Sequence, residues 1–313
     1  MGGVTIGAVI SAALSPWVSV CLAIGIAVGA AVALHRLRGT TLAAPAAWAL
    51  ASALALAAVE AGLALNPISP FWDSIWRYTA AVGTFCPLMA VLGAKRPQDR
   101  GWQWVAVSLW VILLVPAMQA VAARSGSRLE LFGAWRLLLA GLVAMGLLNY
   151  FITRYAFAAC LMAFGQCGLL APYLYDLPDG LQPARRVVGL AAMFVAVLAV
   201  ALMRPPHSKM GSTMHPTILQ LNERWSAFRD GWGAFWGLRV MQRVNRTAEL
   251  GGWPLRLEWW NGFVLIGPES GATGSGAIDM QTSSQIQQTL DSLLRRFERL
   301  DATAPSPGGR SSC

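Results

Sequence analysis

The sequence has few charged residues. Asp, Glu, Lys and Arg together make up 12% of its 313 residues, whereas about 25% is usual in soluble domains. Hydrophobic residues make up 56% of the chain, and the mean hydropathy is +0.51. This composition argues against an ordinary soluble enzyme and indicates a polytopic membrane protein.

Patterns that hold metals or cofactors are also missing. The five cysteines contain no C-x2-C pair, and four of them lie in apolar segments, where cysteine behaves as a small hydrophobic residue. The three histidines offer no haem-ligating pair within the apolar segments. No P-loop, G-x-S-x-G or Ser-His-Asp pattern is present. We therefore expect no metal, no cofactor and no catalytic residue, and favour a non-enzymatic protein over a membrane enzyme.

Lysine is nearly absent, with only Lys95 and Lys209 among the 24 basic residues. The arginines form no dense block, so nucleic acid is not expected as a partner. Basic loops next to membrane helices account for most of the net charge of +9.

One stretch, LYDLPDGLQPARR at residues 174–186, resembles the start of the signature of the CDP-alcohol phosphatidyltransferases. Asp176 and Asp179 match its first half, but Pro183 is an extra residue before the Ala-Arg pair. Residues 187–203 contain no acid, although the signature requires two more carboxylates there to complete its cation site. We therefore interpret the stretch as a turn and exclude that activity.

Seven apolar segments are long enough to cross a bilayer, which takes about 20 residues. They are residues 14–34, 42–64, 75–93, 103–123, 132–151, 155–175 and 187–203. We predict an all-α polytopic bundle over 14–203, preceded by an apolar interfacial segment, 1–13. No basic residue precedes the first span, so we expect it to be a retained anchor rather than a signal peptide.

The distribution of Lys and Arg predicts the orientation of these helices. The short loops alone give six basic residues on one side and five on the other. Arg204 and Lys209, after the last span, add two more to the side with six. The positive-inside rule then places the N-terminus outside and the C-terminus in the cytoplasm. We expect the protein in a bacterial cytoplasmic (inner) membrane, with the lipid bilayer as its first partner.

Glu60 is the only acidic residue within a predicted span, and ionisable residues in membranes are candidate functional sites. It is a possible proton or cation site of a small transporter or ligand sensor. Alternatively, it reaches the interface or pairs with Arg77 or Arg136. A weak internal repeat, in which Trp76-Arg77 recurs as Trp135-Arg136, adds to the transporter interpretation.

Gly25 and Gly29 form a small-residue pair on the first helix. Such pairs allow close approach of helices in lipid. The approach is either between helices of one chain or between two copies in a homo-oligomer.

The composition changes after residue 204, where we predict a small α+β cytoplasmic domain over 204–300. Its expected order is a helix at 216–249, a hairpin at 255–266, a mobile Gly/Ser loop at 267–283 and a helix at 284–300, followed by a disordered tail, 301–313. The first helix carries an aromatic stripe at helical spacing, which includes Trp225, Phe228, Trp232, Phe235 and Trp236. This stripe is a candidate protein-binding face, but it also suits the core of the domain or a helix on the bilayer surface.

Asn261-Gly262 is a strong signal for a two-residue hairpin turn. A two-residue turn makes Trp260 face Phe263 and Leu257 face Ile266.

Three stretches resemble a group of bacterial multi-pass membrane proteins of unknown activity: LGAKRPQDRGWQW at 92–104, WGLRVMQRVN at 236–245 and GWPLRLEW at 252–259. The resemblance implies a multi-pass membrane fold and carries no activity, cofactor or catalytic residue. Lys95, Arg96 and Arg100 in the first stretch are either a topology signal or a docking surface for the C-terminal domain or for anionic lipid head groups.

The leading hypothesis from the sequence is a non-enzymatic membrane subunit or scaffold whose cytoplasmic domain binds a protein partner. The alternative is a small-solute or ion transporter, or a ligand sensor, that uses Glu60.

Overall fold

The structure, a computed structural model, describes residues 16–95, 99–123, 129–175, 182–203, 216–266 and 280–298. The predicted segments 1–13 and 301–313, most of the loop 267–283, and both aspartates of the stretch at 174–186 lie outside these described residues.

Within the described residues, seven stretches of helix are long and apolar enough to cross a membrane, as predicted from the sequence. They are built from eight helices: α1 (Pro16–Arg36), α2 (Ala43–Leu65), α3 (Pro70–Gly83), α4 (Cys86–Leu92), α5 (Asp99–Ala123), α6 (Gly133–Phe151), α7 (Ala156–Leu174) and α8 (Gln182–Leu202). The third stretch, Pro70–Leu92, joins α3 and α4. It starts five residues before the predicted span because Pro70 occupies the first turn of α3, where proline is favoured.

The third stretch is interrupted between α3 and α4, just before Pro87. An interruption inside an apolar bundle leaves backbone carbonyls that need donors. Ser52 Oγ donates to the Gly83 carbonyl at 2.7 Å, and Gln166 Nε2 donates to the Thr84 carbonyl at 3.3 Å. Side chains from neighbouring helices therefore supply hydrogen bonds to the two carbonyls at the break.

Small residues bring α1, α7 and α8 close together. A Cβ on Gly25 would lie 2.6 Å from the ring of Phe194, and one on Gly29 would lie 2.2 Å from Val197 Cγ1. A Cβ on Gly165 would lie 2.7 Å from the Gly189 carbonyl oxygen. The glycine pair of α1 thus packs against α8 of the same chain.

A C-terminal unit follows the bundle and has the predicted α-β-β-α order. It consists of α9 (Pro216–Gly251), β1 (Leu255–Glu258), β2 (Gly262–Leu265), α10 (Met280–Leu294) and a 3₁₀ turn (Arg295–Phe297). Its core combines one side of α9 with the hairpin and α10, including Trp225, Leu257, Phe263 and Leu290. Arg224 and Asp291 form an ion pair between α9 and α10.

The predicted single helix at 216–249 is interrupted at Gly233, whose backbone lies at φ 76° and ψ −170°. This conformation lies outside the helical region and is readily adopted only by glycine. The two halves of α9 therefore run in different directions.

The predicted hairpin register is wrong. Leu257 faces Phe263 and Glu258 faces Gly262, so three residues, rather than two, separate the strands. The side chains of α9 fix this register. Asn245 bonds both the N–H and the carbonyl of Leu257, at 2.7 and 2.9 Å, and Asn222 Oδ1 accepts the Phe263 N–H at 2.8 Å.

Candidate functional site

Polar contacts gather at the two ends of the bundle. We call the end that carries the loops 37–42, 93–95 and 152–155 the docked end, because the C-terminal unit packs there. We call the other end, with the loop 66–69 and the start of α8, the open end. Each end holds a charged cluster between helices, and each is a candidate site.

At the docked end, Asn149 in the last turn of α6 contacts the break in α9. Its Oδ1 accepts the Phe235 N–H at 3.0 Å, and the residue is only 6% exposed. A Cβ on Gly233 would lie 2.4 Å from Asn149 Nδ2. The break in α9 thus allows the backbone to approach α6 closely and supplies the N–H that Asn149 binds.

An ion cluster crosses the same junction. Asp230 of α9 is 1% exposed, and Arg229 Nε and Nη2 each lie 2.9 Å from its Oδ1. Arg154, in the loop after α6, places its Nε 3.4 Å from Asp230 Oδ2. Buried charges are stable when they are paired and hydrogen-bonded. Asp230 therefore ties the bundle loop to the C-terminal unit.

Three indole N–H groups of the C-terminal unit donate to the bundle. Trp236 Nε1 donates to the Val91 carbonyl at 3.0 Å, and Trp259 Nε1 donates to the Ile152 carbonyl at 2.6 Å. Both carbonyls lie at helix C-termini, where the regular i+4 donor is missing. The Val91 carbonyl also accepts the Ala94 N–H at 3.0 Å. Trp232 Nε1 donates to the Thr41 hydroxyl at 3.3 Å.

Thr41 is fully buried and links the first loop of the bundle to the end of the chain. Its hydroxyl lies 2.8 Å from the carbonyl oxygen of Ala94 and 3.1 Å from that of Phe297. Its N–H also donates to the Phe297 carbonyl at 3.0 Å. The last described turn of the C-terminal unit is therefore bonded directly to the bundle.

These contacts locate the aromatic stripe of α9. Trp225 and Phe228 are buried in the core of the C-terminal unit, whereas Trp232 and Trp236 bond to the bundle. Phe235 is 36% exposed. Most of the stripe thus faces the chain's own core and bundle, and little of it remains open to a second protein.

Lys95 of the predicted docking loop also lies at this junction, with its Nζ 5.7 Å from the ring centroid of Trp236. Arg96 lies outside the described residues, and so does the side chain of Arg100.

At the open end, Glu60 is buried, with 5% exposure, and it is paired. Arg77 Nη1 donates to Glu60 Oε1 at 2.6 Å, and Arg77 Nε donates to Asp73 Oδ1 at 2.7 Å. Arg186 of α8 places its Nε 3.9 Å from the same Glu60 oxygen. Of the expected alternatives, the structure contains the pair between Glu60 and Arg77. Arg136 instead donates to the Leu131 carbonyl.

A cavity of about 80 Å³ lies among these groups. Glu60, Asp73, Arg77 and Arg186 line it together with Tyr173, whose hydroxyl donates to the Ser74 carbonyl at 3.0 Å. Two arginines and two carboxylates from α2, α3 and α8 therefore meet at one small cavity. In the part of the chain that the structure describes, no group of three His, Cys, Asp or Glu side chains is arranged to hold a metal ion.

Sequence reasoning missed several residues of both ends. One of them is Asp73, which lies four positions before Arg77 on the same helix, a readable pairing signal. Arg186 and Gly233 gave no such signal, because their partners lie far away in the sequence. Asp230 lies next to Arg229, but its other partner, Arg154, is distant.

A scan against protein-family models finds no match, and searches of the curated proteins and of the solved structures find none either.

Proposed function

We propose that the protein is a non-enzymatic subunit or scaffold of a bacterial cytoplasmic membrane, with its C-terminal unit in the cytoplasm and its N-terminus outside. In this proposal the C-terminal unit binds a protein partner. The supporting observation is that its aromatic side anchors the unit to the bundle while a basic side stays exposed.

The basic side lies on the second half of α9. Arg239, Arg243 and Arg246 are exposed at spacings of four and three, which aligns them along one face of a helix. On a different side of the same helix, Val240 and Val244 are buried in the core. A surface of this kind suits a partner with an acidic surface, because complementary charge steers association and suppresses wrong partners.

Few carboxylates neutralise this row. Arg246 lies 3.4 Å from Glu249, and both side chains are largely exposed. Arg239 lies over the Phe235 ring at 4.0 Å. Among the described residues, Arg243 has no carboxylate within 4.0 Å. The charge of the row is therefore available to a second molecule.

The test is purification of the tagged full-length protein from its native membranes in mild detergent, with mass spectrometry of what accompanies it. Arg243→Glu with Arg246→Glu should lose a stoichiometric partner. The matched control, Arg295→Glu with Arg296→Glu, reverses two exposed arginines elsewhere on the unit and should keep it.

Equal recovery of the partner with both double variants would contradict the basic surface as its binding site. A complex whose mass is a multiple of this chain alone would identify the partner as a second copy of the protein.

A second candidate function is a small-solute or ion transporter, or a ligand sensor, that uses the open end. The observation that favours it is the charged cavity around Glu60, since buried ionisable residues in spans mark candidate ligand and ion sites. Glu60→Gln should then change solute binding by the purified protein, and unchanged binding would remove this candidate.

A further inference from the structure

Arg186 is a mostly buried arginine that has no hydrogen-bond acceptor among the residues that the structure describes. Its side chain is 22% exposed, and the nearest carboxylate oxygen, Glu60 Oε1, is 3.9 Å from its Nε. That separation is too long for a hydrogen bond. Within the described ranges, no other group accepts from this guanidinium, although it carries five N–H donors.

The neighbouring carboxylates are occupied by a different arginine. Arg77 donates through its Nη1 to Glu60 Oε1 at 2.6 Å and through its Nε to Asp73 Oδ1 at 2.7 Å. Asp73 is 34% exposed, whereas Glu60 is 5% and Arg77 15% exposed. The four charged groups that line the cavity, two arginines and two carboxylates, therefore sum to zero. Both short ion pairs go to Arg77, however, so among the described residues the guanidinium of Arg186 has no carboxylate within hydrogen-bond distance.

A buried cation without hydrogen-bond partners is costly, so a group that accepts hydrogen bonds from its N–H groups stabilises the site. The cavity of about 80 Å³ that Arg186 lines supplies the space for such a group. Since a water occupies about 30 Å³ of the liquid, the cavity holds roughly two or three waters or one small anion. Leu56, Val59 and Leu169 also line it, and their apolar surface strengthens electrostatic interactions inside.

We propose that Arg186 binds a small monovalent carboxylate, of the size of formate or acetate, in this cavity. The planar guanidinium fork matches the two oxygens of a carboxylate through parallel N–H···O bonds. A doubly charged anion fits less well, because Glu60 and Asp73 already place two negative charges at the same cavity. The proposal deepens the second candidate function, and it rests on that function only for the location of the site.

The test uses the full-length protein purified in detergent, with thermal unfolding followed by tryptophan fluorescence. Sodium acetate is titrated against sodium chloride and sodium gluconate at one fixed ionic strength. Acetate should raise the unfolding temperature with a saturable dependence that neither other salt produces. Arg186→Gln should weaken the apparent affinity for acetate by at least about tenfold, the size expected for lost charge-assisted hydrogen bonds. The matched control is Arg185→Gln, which changes the adjacent arginine that does not line the cavity.

Arg186→Lys covers the case in which the Gln variant does not fold. It keeps the charge and loses the planar fork, so the protein should remain folded and bind acetate more weakly. The proposal is overturned by a wild-type response equal for acetate and chloride, by no saturable response to acetate, or by unchanged affinity in Arg186→Lys.

These outcomes are separable from those of the proposed functions. Partner capture compares arginine variants of the C-terminal unit within the full-length protein, and those residues do not line this cavity. Acetate binding without vesicle uptake of labelled acetate would remove the transporter interpretation and leave the carboxylate site in place.

Discussion

Gly233 and Asn149 are in direct contact, although 84 positions separate them in the chain. The left-handed backbone of Gly233, at φ 76°, lies against the Asn149 side chain. Two residues further along, the Phe235 N–H donates to Asn149 Oδ1 at 3.0 Å. This contact joins the C-terminal unit to the end of α6.

Gly233→Ala should release the C-terminal unit from the bundle. The backbone at φ 76° and ψ −170° lies in a region that is essentially restricted to glycine and costs a residue with a Cβ about 1–3 kcal/mol. The new Cβ would also clash with Asn149 at 2.4 Å. We expect faster protease cleavage within residues 216–298 and a lower unfolding temperature. The matched control is Gly231→Ala, where a Cβ would make an ordinary 3.5 Å contact with Leu42. Equal protease resistance of the two variants would contradict a structural need for glycine at 233.

Asp230→Asn should destabilise the docked state by about 3 kcal/mol, because removing one partner of a buried ion cluster leaves uncompensated charge. The change deprives Arg229 and Arg154 of their shared carboxylate. The free energy of unfolding of the C-terminal unit, from urea titration of tryptophan fluorescence, measures the effect. Glu249→Gln breaks an exposed ion pair and should change that free energy by less than about 0.5 kcal/mol. Similar effects from both variants would exclude a special role for the buried pair.

Glu60→Gln should lower the unfolding temperature of the bundle, because Arg186 then loses its nearest negative charge. Adding Arg186→Gln removes the positive charge that Glu60→Gln leaves unbalanced. The loss of stability in the double variant should therefore be smaller than the sum of the losses in the two single variants. Contacting charges typically show coupling of about 0.5–3 kcal/mol. The measurement is a double-mutant cycle, in which thermal unfolding of the wild type, the two single variants and the double variant is compared in one detergent. Strictly additive effects would mean that Glu60 and Arg186 do not interact.

Much of the fold could be predicted from local features of the sequence. An apolar run of about 20 residues reveals a membrane-length helix by its length alone, so the seven helices were predictable. The α-β-β-α order of the C-terminal unit was predictable for the same reason, since helical spacing and turn residues are local signals. The pairing of Asp73 with Arg77 was readable as well, because both lie on one helix.

Features that depend on distant contacts were not predictable. The Asn261-Gly262 signal indicated a two-residue turn, but Asn222 and Asn245 of α9 fixed a different register from outside the hairpin. The aromatic spacing of α9 revealed an apolar stripe, but it did not reveal what that stripe contacts. The break at Gly233 was missed because glycine is tolerated inside helices and gives no signal for a kink.

The sequence by itself therefore determined the elements and their order, because hydrophobic length and periodicity act within a single segment. Only the tertiary structure decided which charges share a cavity and where the C-terminal unit docks. Glu60, Arg77 and Arg186 come from three helices, and the junction joins Thr41, Asn149 and Asp230 from distant segments. These contacts depend on how the whole chain packs, because a buried polar group forms hydrogen bonds with whichever partner the fold places within reach.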